Sequence, residues 1–321
     1  MILKKILISS IFLSVLSCGL NAQTTGYKNE FGFRSDNDAY LAYGQDRYYT
    51  NGLFITFRHA ADQTRLKSNI NKRIWEIEAG QKIYNPLSGQ MSDIAKIDRP
   101  FAGYLYAGAS MNWLYSTENN LKLGIQFGTI GPSSLAEDGQ VLLHDVIGFY
   151  DIEGWDSQVR DEIGINLAAE YNHLLHRGTS QKTDFTLTSN ARLGNTFSGA
   201  GVGVLFRAGT INQLFNSAMT TSILSNNSKT ETLNEKELFF YAQPAISYVA
   251  YDATVEGGLF RENKGQVTFD AKPFVFSQQL GVMYSKKRWT ADFSVIFKSR
   301  EIKSNARAHQ YGSAALYYRF N

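Results

Sequence analysis

The chain has 321 residues and a formal net charge of +3, with 13% aromatic residues, 27 glycines and 5 prolines. The near balance of charge gives no reason to expect a nucleic-acid partner, and the single cysteine, Cys18, excludes an intrachain disulfide framework. The length suits two soluble domains or one large β-barrel, and the composition favours the barrel, because aromatic residues and glycines with few prolines suit long strands joined by tight turns.

The N-terminal segment, 1–22, has the pattern of a secretory signal peptide. Two lysines precede a short apolar run, 6–16, which ends among small residues, so we expect cleavage after Ala22. The run is too short for a spanning helix, and no later window offers about 18 consecutive apolar residues. A lipoprotein cleavage box ending on Cys18 is the weaker alternative. We therefore expect an exported chain whose mature part, 23–321, forms one barrel domain.

Strict alternation of apolar and polar residues recurs along the mature chain over about ten positions, the length that a tilted strand needs to cross a bilayer. In one segment Ile163, Ile165 and Leu167 alternate with Gly164 and Asn166. Sandwich strands are typically about five or six residues long, so these longer segments predict an all-β, transmembrane, antiparallel up-and-down barrel with aromatic girdles near the strand ends. We predict twelve strands, at 26–37, 50–60, 72–84, 101–116, 120–130, 162–175, 182–194, 199–211, 236–251, 271–285, 288–300 and 307–320.

An even number of strands places both termini on the periplasmic side, so loops after odd strands face outward. The outward loops are then 38–49, 85–100, 131–161 and 252–270. This parity places the polar segment 212–235 at the periplasmic end, where short turns are expected, and the sequence offers no physical reason for its length.

The longest outward loop, 131–161, contains a short amphipathic helix pattern. Gln140 and His144 are four residues apart within it, so a helix would present both on one face. The alternative is a loop that merely plugs the barrel and carries a surface histidine.

A second cluster, Ser35 to Asp38, follows the first strand and collects carboxylate and amide oxygens. It is either a solvated turn or a site for a hard cation such as calcium, which prefers oxygen ligands. Thr50, at the start of the returning strand, should lie near Asp38. A histidine, a cation and polar donors at one rim would suffice for metal-assisted hydrolysis, whereas no Gly-x-Ser-x-Gly motif supports serine hydrolysis.

With these residues placed, the mature chain closely resembles the calcium-dependent outer-membrane lipid A 3′-O-deacylases of the LpxR type. The resemblance is carried by several motifs in order: Asp36-Asn37-Asp38-Ala39, Asp46-Arg47-Tyr48-Tyr49-Thr50-Asn51-Gly52-Leu53, Asp98-Arg99-Pro100-Phe101-Ala102-Gly103-Tyr104, Ile130-Gly131-Pro132, Gln140 and His144 with Ile147-Gly148, and Gly154-Trp155 with Gln158.

The resemblance implies a twelve-stranded barrel in which Asn37 and Asp38 form the active-site pair, Asp38 helps to hold calcium (Ca2+), and Thr50 and Gln140 line the site. His144 matches the catalytic histidine that activates a water. The family pattern has an acidic residue where this chain has Tyr150, so Asp151, or else Glu153, is expected to supply the second calcium ligand.

The predicted function is a calcium-dependent esterase that removes the 3′ acyl group from lipid A of lipopolysaccharide in the outer leaflet. We expect a monomer, integral to the bacterial outer membrane and in contact with its lipids. The alternatives are an outer-membrane phospholipase and a non-enzymatic pore or scaffold barrel.

Overall fold

The computed structural model describes residues 26–41, 46–227 and 231–321, so the predicted signal peptide and its cleavage site lie outside the described residues. Within them, twelve antiparallel strands form one closed barrel in which each strand pairs with the next and β12 pairs with β1. The strands are β1 Asn29–Asn37, β2 Tyr48–Ala60, β3 Ile70–Asn85, β4 Ala102–Tyr115, β5 Asn119–Ile130, β6 Glu162–Arg177, β7 Thr183–Gly194, β8 Phe197–Thr210, β9 Lys236–Asp252, β10 Phe274–Lys286, β11 Trp289–Lys298 and β12 His309–Phe320. The predicted fold class and strand number are confirmed.

Among the described residues, two α-helices lie in the loops, α1 at Ala136–Ile147 and α2 at Ala253–Glu256. Short 3-10 turns occur at Asp38–Leu41, Gln63–Arg65, Ile94–Lys96, Pro132–Ser134, Trp155–Ser157 and Leu214–Asn216. In the described ranges, neither helix has the length and hydropathy that crossing a membrane would require.

The alternating pattern sorts side chains onto the two faces of the barrel wall. On β6, Ile163, Ile165 and Leu167 point outward and are 76%, 50% and 51% exposed, whereas Asn166 is buried inside. A soluble protein rarely exposes such a continuous apolar surface, whereas the lipid-facing band of a membrane barrel has one.

The lumen is polar, and several of its charges are paired. Arg58 on β2 donates to Glu30 at 2.8 Å and also to Glu76, which accepts from Lys122 at 2.8 Å. Each of these charges would be costly without its partner in so buried a position. The interior therefore fixes the relative positions of neighbouring strands.

The seam of the barrel joins the two ends of the chain. Asn29 lies opposite Phe320, and the pairing runs without interruption to Asn37 opposite Gly312. Within the wall, the Ser313 hydroxyl donates to the Asp36 carboxylate at 2.7 Å. Closure leaves no strand edge for pairing with another chain.

The segment between β8 and β9 folds into the lumen at the end that carries both termini. We call its described part, 211–227 with 231–235, the lumen plug. Its backbone is satisfied by inward side chains of the wall: Lys72 donates to the Ser222 carbonyl at 2.7 Å, and Glu237 accepts the amides of Asn212 and Ala218 at 2.9 and 2.7 Å. The predicted parity therefore stands, and the length of this segment has a structural reason.

Apolar residues of the lumen plug pack against opposite sides of the wall. Ile211 and Ala218 join Leu205, Tyr241 and Met283. A second cluster combines plug and wall residues on the other side: Ala60, Ile74, Leu114, Phe215 and Leu224. The plug thus crosses the lumen, which a polar sequence can do because its peptide groups find partners there.

Candidate active site

The Asn37–Asp38 pair comprises the last residue of β1 and the first residue of the loop between β1 and β2, at the end of the barrel opposite the termini. The Asp38 carboxylate is buried and accepts from the Arg47 amide at 2.9 Å and from the Thr50 hydroxyl at 3.1 Å. Asn37 accepts from the Ala39 amide at 2.6 Å, as expected of an Asx turn, and donates to Asn51 at 2.5 Å. The predicted proximity of Thr50 to Asp38 is observed.

The second element of the site is α1, which the i, i+4 spacing predicted. The helix ends at Gly148, whose φ of +78° is a conformation that favours glycine, and the Gly148 amide donates to the His144 carbonyl at 2.8 Å. Gln140 and His144 lie on its buried face and are 0% and 3% exposed.

Helix α1 packs against the outer face of β3 and β4. The Gln81 amide group on β3 donates to the Ser134 and Leu135 carbonyls at 2.8 and 3.0 Å. Gly103 on β4 permits the contact, because an added Cβ there would lie 1.9 Å from the Ser134 hydroxyl oxygen. The opposite side of α1 is apolar and exposed, with Leu142 and Val146 at 64% and 59%.

Neighbouring groups hold the Gln140 and His144 side chains of α1 in place. The Trp155 indole donates to the Gln140 carbonyl oxygen at 3.1 Å, which leaves the amide NH2 free to donate to Asp46 at 3.3 Å. His144 Nδ1 lies 2.9 Å from the Tyr150 carbonyl oxygen. A carbonyl only accepts, so Nδ1 carries the proton and Nε2 is the nitrogen directed at the rest of the site.

Asp46 joins the two elements, a role that sequence reasoning missed. Its carboxylate lies 2.8 Å from His144 Nε2, accepts from the Tyr150 hydroxyl at 2.8 Å and also accepts from the Thr50 hydroxyl. The residue belongs to the motif that contains Thr50, but nothing in that motif indicates which side chain of a distant helix will meet it. We call Asp38, Asp46, Thr50, Gln140 and His144 the carboxylate–histidine cluster.

The two carboxylates of the cluster flank one hydroxyl group. The Thr50 hydroxyl can donate to Asp38 or Asp46 but not to both at once. Burial, with the nearby Asp46 carboxylate, raises the pKa of Asp38 to about 7, although hydrogen bonds from Arg47 and Thr50 oppose the shift. The arrangement is short of positive charge, and its hard oxygen donors fit a calcium ion.

Asp151, the predicted second metal ligand, is exposed, and no hydrogen bond joins it to the cluster in the described chain. Over the same residues, no group of three or more His, Cys, Asp and Glu side chains is placed to hold a metal. Asp46 is the second carboxylate next to Asp38, so further ligands would be hydroxyl, amide, carbonyl or water oxygens. The role of Asp151 stays a prediction.

A polar cavity of about 400 Å3 lies inside the barrel, lined by residues such as Arg34, Asp36 and Lys82. None of the predicted site residues lines it. The carboxylate–histidine cluster instead lies between α1 and the barrel wall, at the rim of the apolar outer surface.

A closed barrel with an apolar belt and a buried histidine–carboxylate cluster at one rim defines an integral membrane protein whose site faces the lipid boundary. Residues 6–320 match the family described as outer membrane protein LpxR. The chain belongs to this family, in agreement with the resemblance of its sequence motifs. It resides in the outer membrane.

A solved structure supports the fold. LpxR from Salmonella typhimurium aligns with a TM-score of 0.74 and 20% identity, covering 91% of this chain and 100% of that one. Two autotransporter domains are less similar. The Bordetella BrkA β domain has a TM-score of 0.49 and 10% identity, and the alignment covers 92% of this chain and 100% of that one. The Neisseria meningitidis NalP translocator domain has a TM-score of 0.43 and 12% identity, and the alignment covers 98% of this chain and 95% of that one. No curated protein sequence matches significantly.

Proposed function

We propose that this protein is a calcium-dependent lipid A 3′-O-deacylase that hydrolyses the ester of the 3′ acyl group in the outer leaflet. The observation that carries the proposal is the position of His144 Nε2, 2.8 Å from Asp46, in a cluster between α1 and the outer wall. Membership in a family of lipid A deacylases supports the substrate class. A monomer is part of the proposal, since the closed barrel of the described residues leaves no strand edge free for pairing with another copy.

In the proposed reaction, His144 acts as the general base. With Nδ1 donating to the Tyr150 carbonyl, Nε2 is the nitrogen that takes a proton from the attacking water, once that water lies between Nε2 and the Asp46 carboxylate, which are in direct contact at 2.8 Å. The adjacent Asp46 carboxylate stabilises the imidazolium that forms, and the same nitrogen then returns the proton to the departing sugar oxygen. The amide NH2 of Gln140 is a neutral donor next to these charges.

Calcium, when bound, would supply the positive charge that polarises the ester carbonyl and stabilises the developing oxyanion. Asp38 and Asp46 would hold it, because they are the paired carboxylates of the cluster. The raised pKa of Asp38 supports this assignment, since a carboxylate that burial destabilises gains most from a cation.

The lumen plug argues against the alternative of a pore. Its contacts with Lys72 and Glu237 join it to strands β3 and β9. The lumen plug therefore obstructs the path that an ion would have to take through the barrel. The phospholipase alternative shares the chemistry and differs only in the ester that reaches the cluster.

Mass spectrometry of lipids from cells that express the chain tests the proposal. We expect lipid A without its 3′ acyl group from the native chain, and unmodified lipid A after calcium chelation or with His144→Ala. The matched control is His173→Ala on β6, whose ring hydrogen-bonds to Asn119 outside the cluster, and it should retain activity. Release of fatty acid from glycerophospholipids with unchanged lipid A would instead establish the phospholipase.

A further inference from the structure

We propose that Leu259 and Phe260, in the loop between α2 and β10, insert into the outer leaflet and anchor this side of the rim in lipid. We call these two residues the rim tip. The proposal concerns binding to a lipid surface and does not depend on the hydrolytic reaction.

The rim tip displays apolar surface that the protein does not cover. Phe260 is 79% exposed, the highest value for a large apolar side chain among the described residues, and Leu259 is 44% exposed. A single exposed apolar side chain is ordinary, but a contiguous group of them marks an interaction site.

The backbone of the rim tip is held in place. The carboxylate of Glu162, at the outer end of β6, accepts the amides of Leu259 and Phe260 at 3.0 and 2.8 Å. Arg261 Nε donates to the Asp161 carbonyl at 2.7 Å. Gly258 permits this approach, because an added Cβ would lie 2.6 Å from Glu162 Oε2. The two side chains are therefore presented at a fixed place on the rim.

That place adjoins the lipid-facing belt. Ile163 directly follows Glu162 and is 76% exposed, and Leu193 on the neighbouring strand β7 is 70% exposed, both on the outer face of the wall. The rim tip thus lies at the outer end of a strand whose outer face belongs to the apolar belt, and aromatic side chains of membrane barrels concentrate near strand ends.

Two cations beside the rim tip fit the same occupant, and the exposed Glu262 is an anion next to them. Arg160 and Arg261 are both exposed beside the rim tip. Cations next to an apolar anchor suit the boundary between acyl chains and anionic headgroups, where the apolar part is buried and the charge stays in water.

Nitroxide labelling tests the depth of the rim tip. Cys18 is the chain's single cysteine, so Phe260→Cys combined with Cys18→Ser leaves one labelling site. The protein is placed in vesicles of phosphatidylcholine and phosphatidylglycerol, with a water-soluble nickel chelate on both sides. Relaxation of the label by lipid-soluble oxygen is then compared with relaxation by the chelate.

We expect oxygen to dominate at position 260, as at the lipid reference Leu193→Cys. The chelate should dominate at Ala308→Cys, an exposed position of another outward loop, and at Glu262→Cys, the matched control two residues along the same loop. Chelate dominance at 260 equal to that at 308 would overturn the proposal.

A second variant tests the proposal without a label, in case the labelled protein does not fold. Phe260→Trp should add quenching by dibrominated lipids beyond that of the unsubstituted protein, whose four tryptophans set the background. Quenching that does not rise above this background would also overturn the proposal.

Discussion

Replacing Asp46 with asparagine tests the central contact of the carboxylate–histidine cluster. The substitution preserves the shape of the side chain but removes the charge 2.8 Å from His144 Nε2. Two unit charges about 4 Å apart interact by about 4 kcal/mol at an effective dielectric constant near 20. If Asp46 stabilises the imidazolium, its loss should lower kcat about 10³-fold, since about 1.4 kcal/mol corresponds to tenfold.

The assay is release of fatty acid from purified lipid A in detergent, with calcium titrated to saturation. If Asp46 is an electrostatic partner of the base, the decrease in kcat persists at saturating calcium. If Asp46 is only a calcium ligand, kcat recovers when the calcium concentration is raised. Asp156→Asn, an exposed aspartate in the same loop as α1, is the matched control and should keep the native kcat. Full recovery of kcat for Asp46→Asn at high calcium would refute the role of Asp46 beside the imidazolium.

Four other predictions follow from the same contacts. Tyr150→Phe removes one hydrogen bond to the Asp46 carboxylate, so kcat should fall about 10- to 150-fold, as expected for about 1.5–3 kcal/mol; a loss as large as that of Asp46→Asn would contradict this. Because the pKa of Asp38 is raised to about 7, protons compete with calcium below that pH. Activity at limiting calcium should therefore fall as the pH is lowered through about 7 and recover when calcium is added. A pH profile that is the same at low and high calcium concentrations would exclude Asp38 as a ligand. Gly103→Val should displace α1 from the wall and abolish activity while heat-modifiable gel mobility still reports a folded barrel; native activity would contradict the packing described here. Glu237→Ala removes the acceptor of two lumen-plug amides, so conductance should appear in planar bilayers where the native protein is silent, and a conducting native protein would instead support the pore.

The barrel was predictable because its signal is local and repeated. Alternation with a period of two marks each strand, and in the structure the first strand begins at Asn29 rather than 26 while the last still ends at Phe320. The helix that carries Gln140 and His144 was predictable for the same reason, since the spacing of four residues sets one face.

The lumen plug and the role of Asp46 were not predictable from local patterns. Residues 212–235 are rich in Asn, Ser and Thr, a composition typical of a solvated loop, yet Ser217 and Ser222 are fully buried. Their burial depends on Arg207 and Glu237 from the two flanking strands and on Lys72 from a strand 150 residues away, all of which face the same lumen. Likewise, the contact of Asp46 with His144 exists only once α1 docks on the wall, and no spacing within either segment encodes it.

The seam of the barrel determines when the active site can exist. Asn37 is the last residue of β1, which pairs with β12, and Asp38 directly follows it, while Asp36 is held by Ser313 across that seam. Strand β12 ends at Phe320, so the pairing requires almost the entire chain to have been exported. A partly exported or unclosed chain therefore lacks the support for its own carboxylates. If the proposed function holds, activity should therefore require the closed barrel.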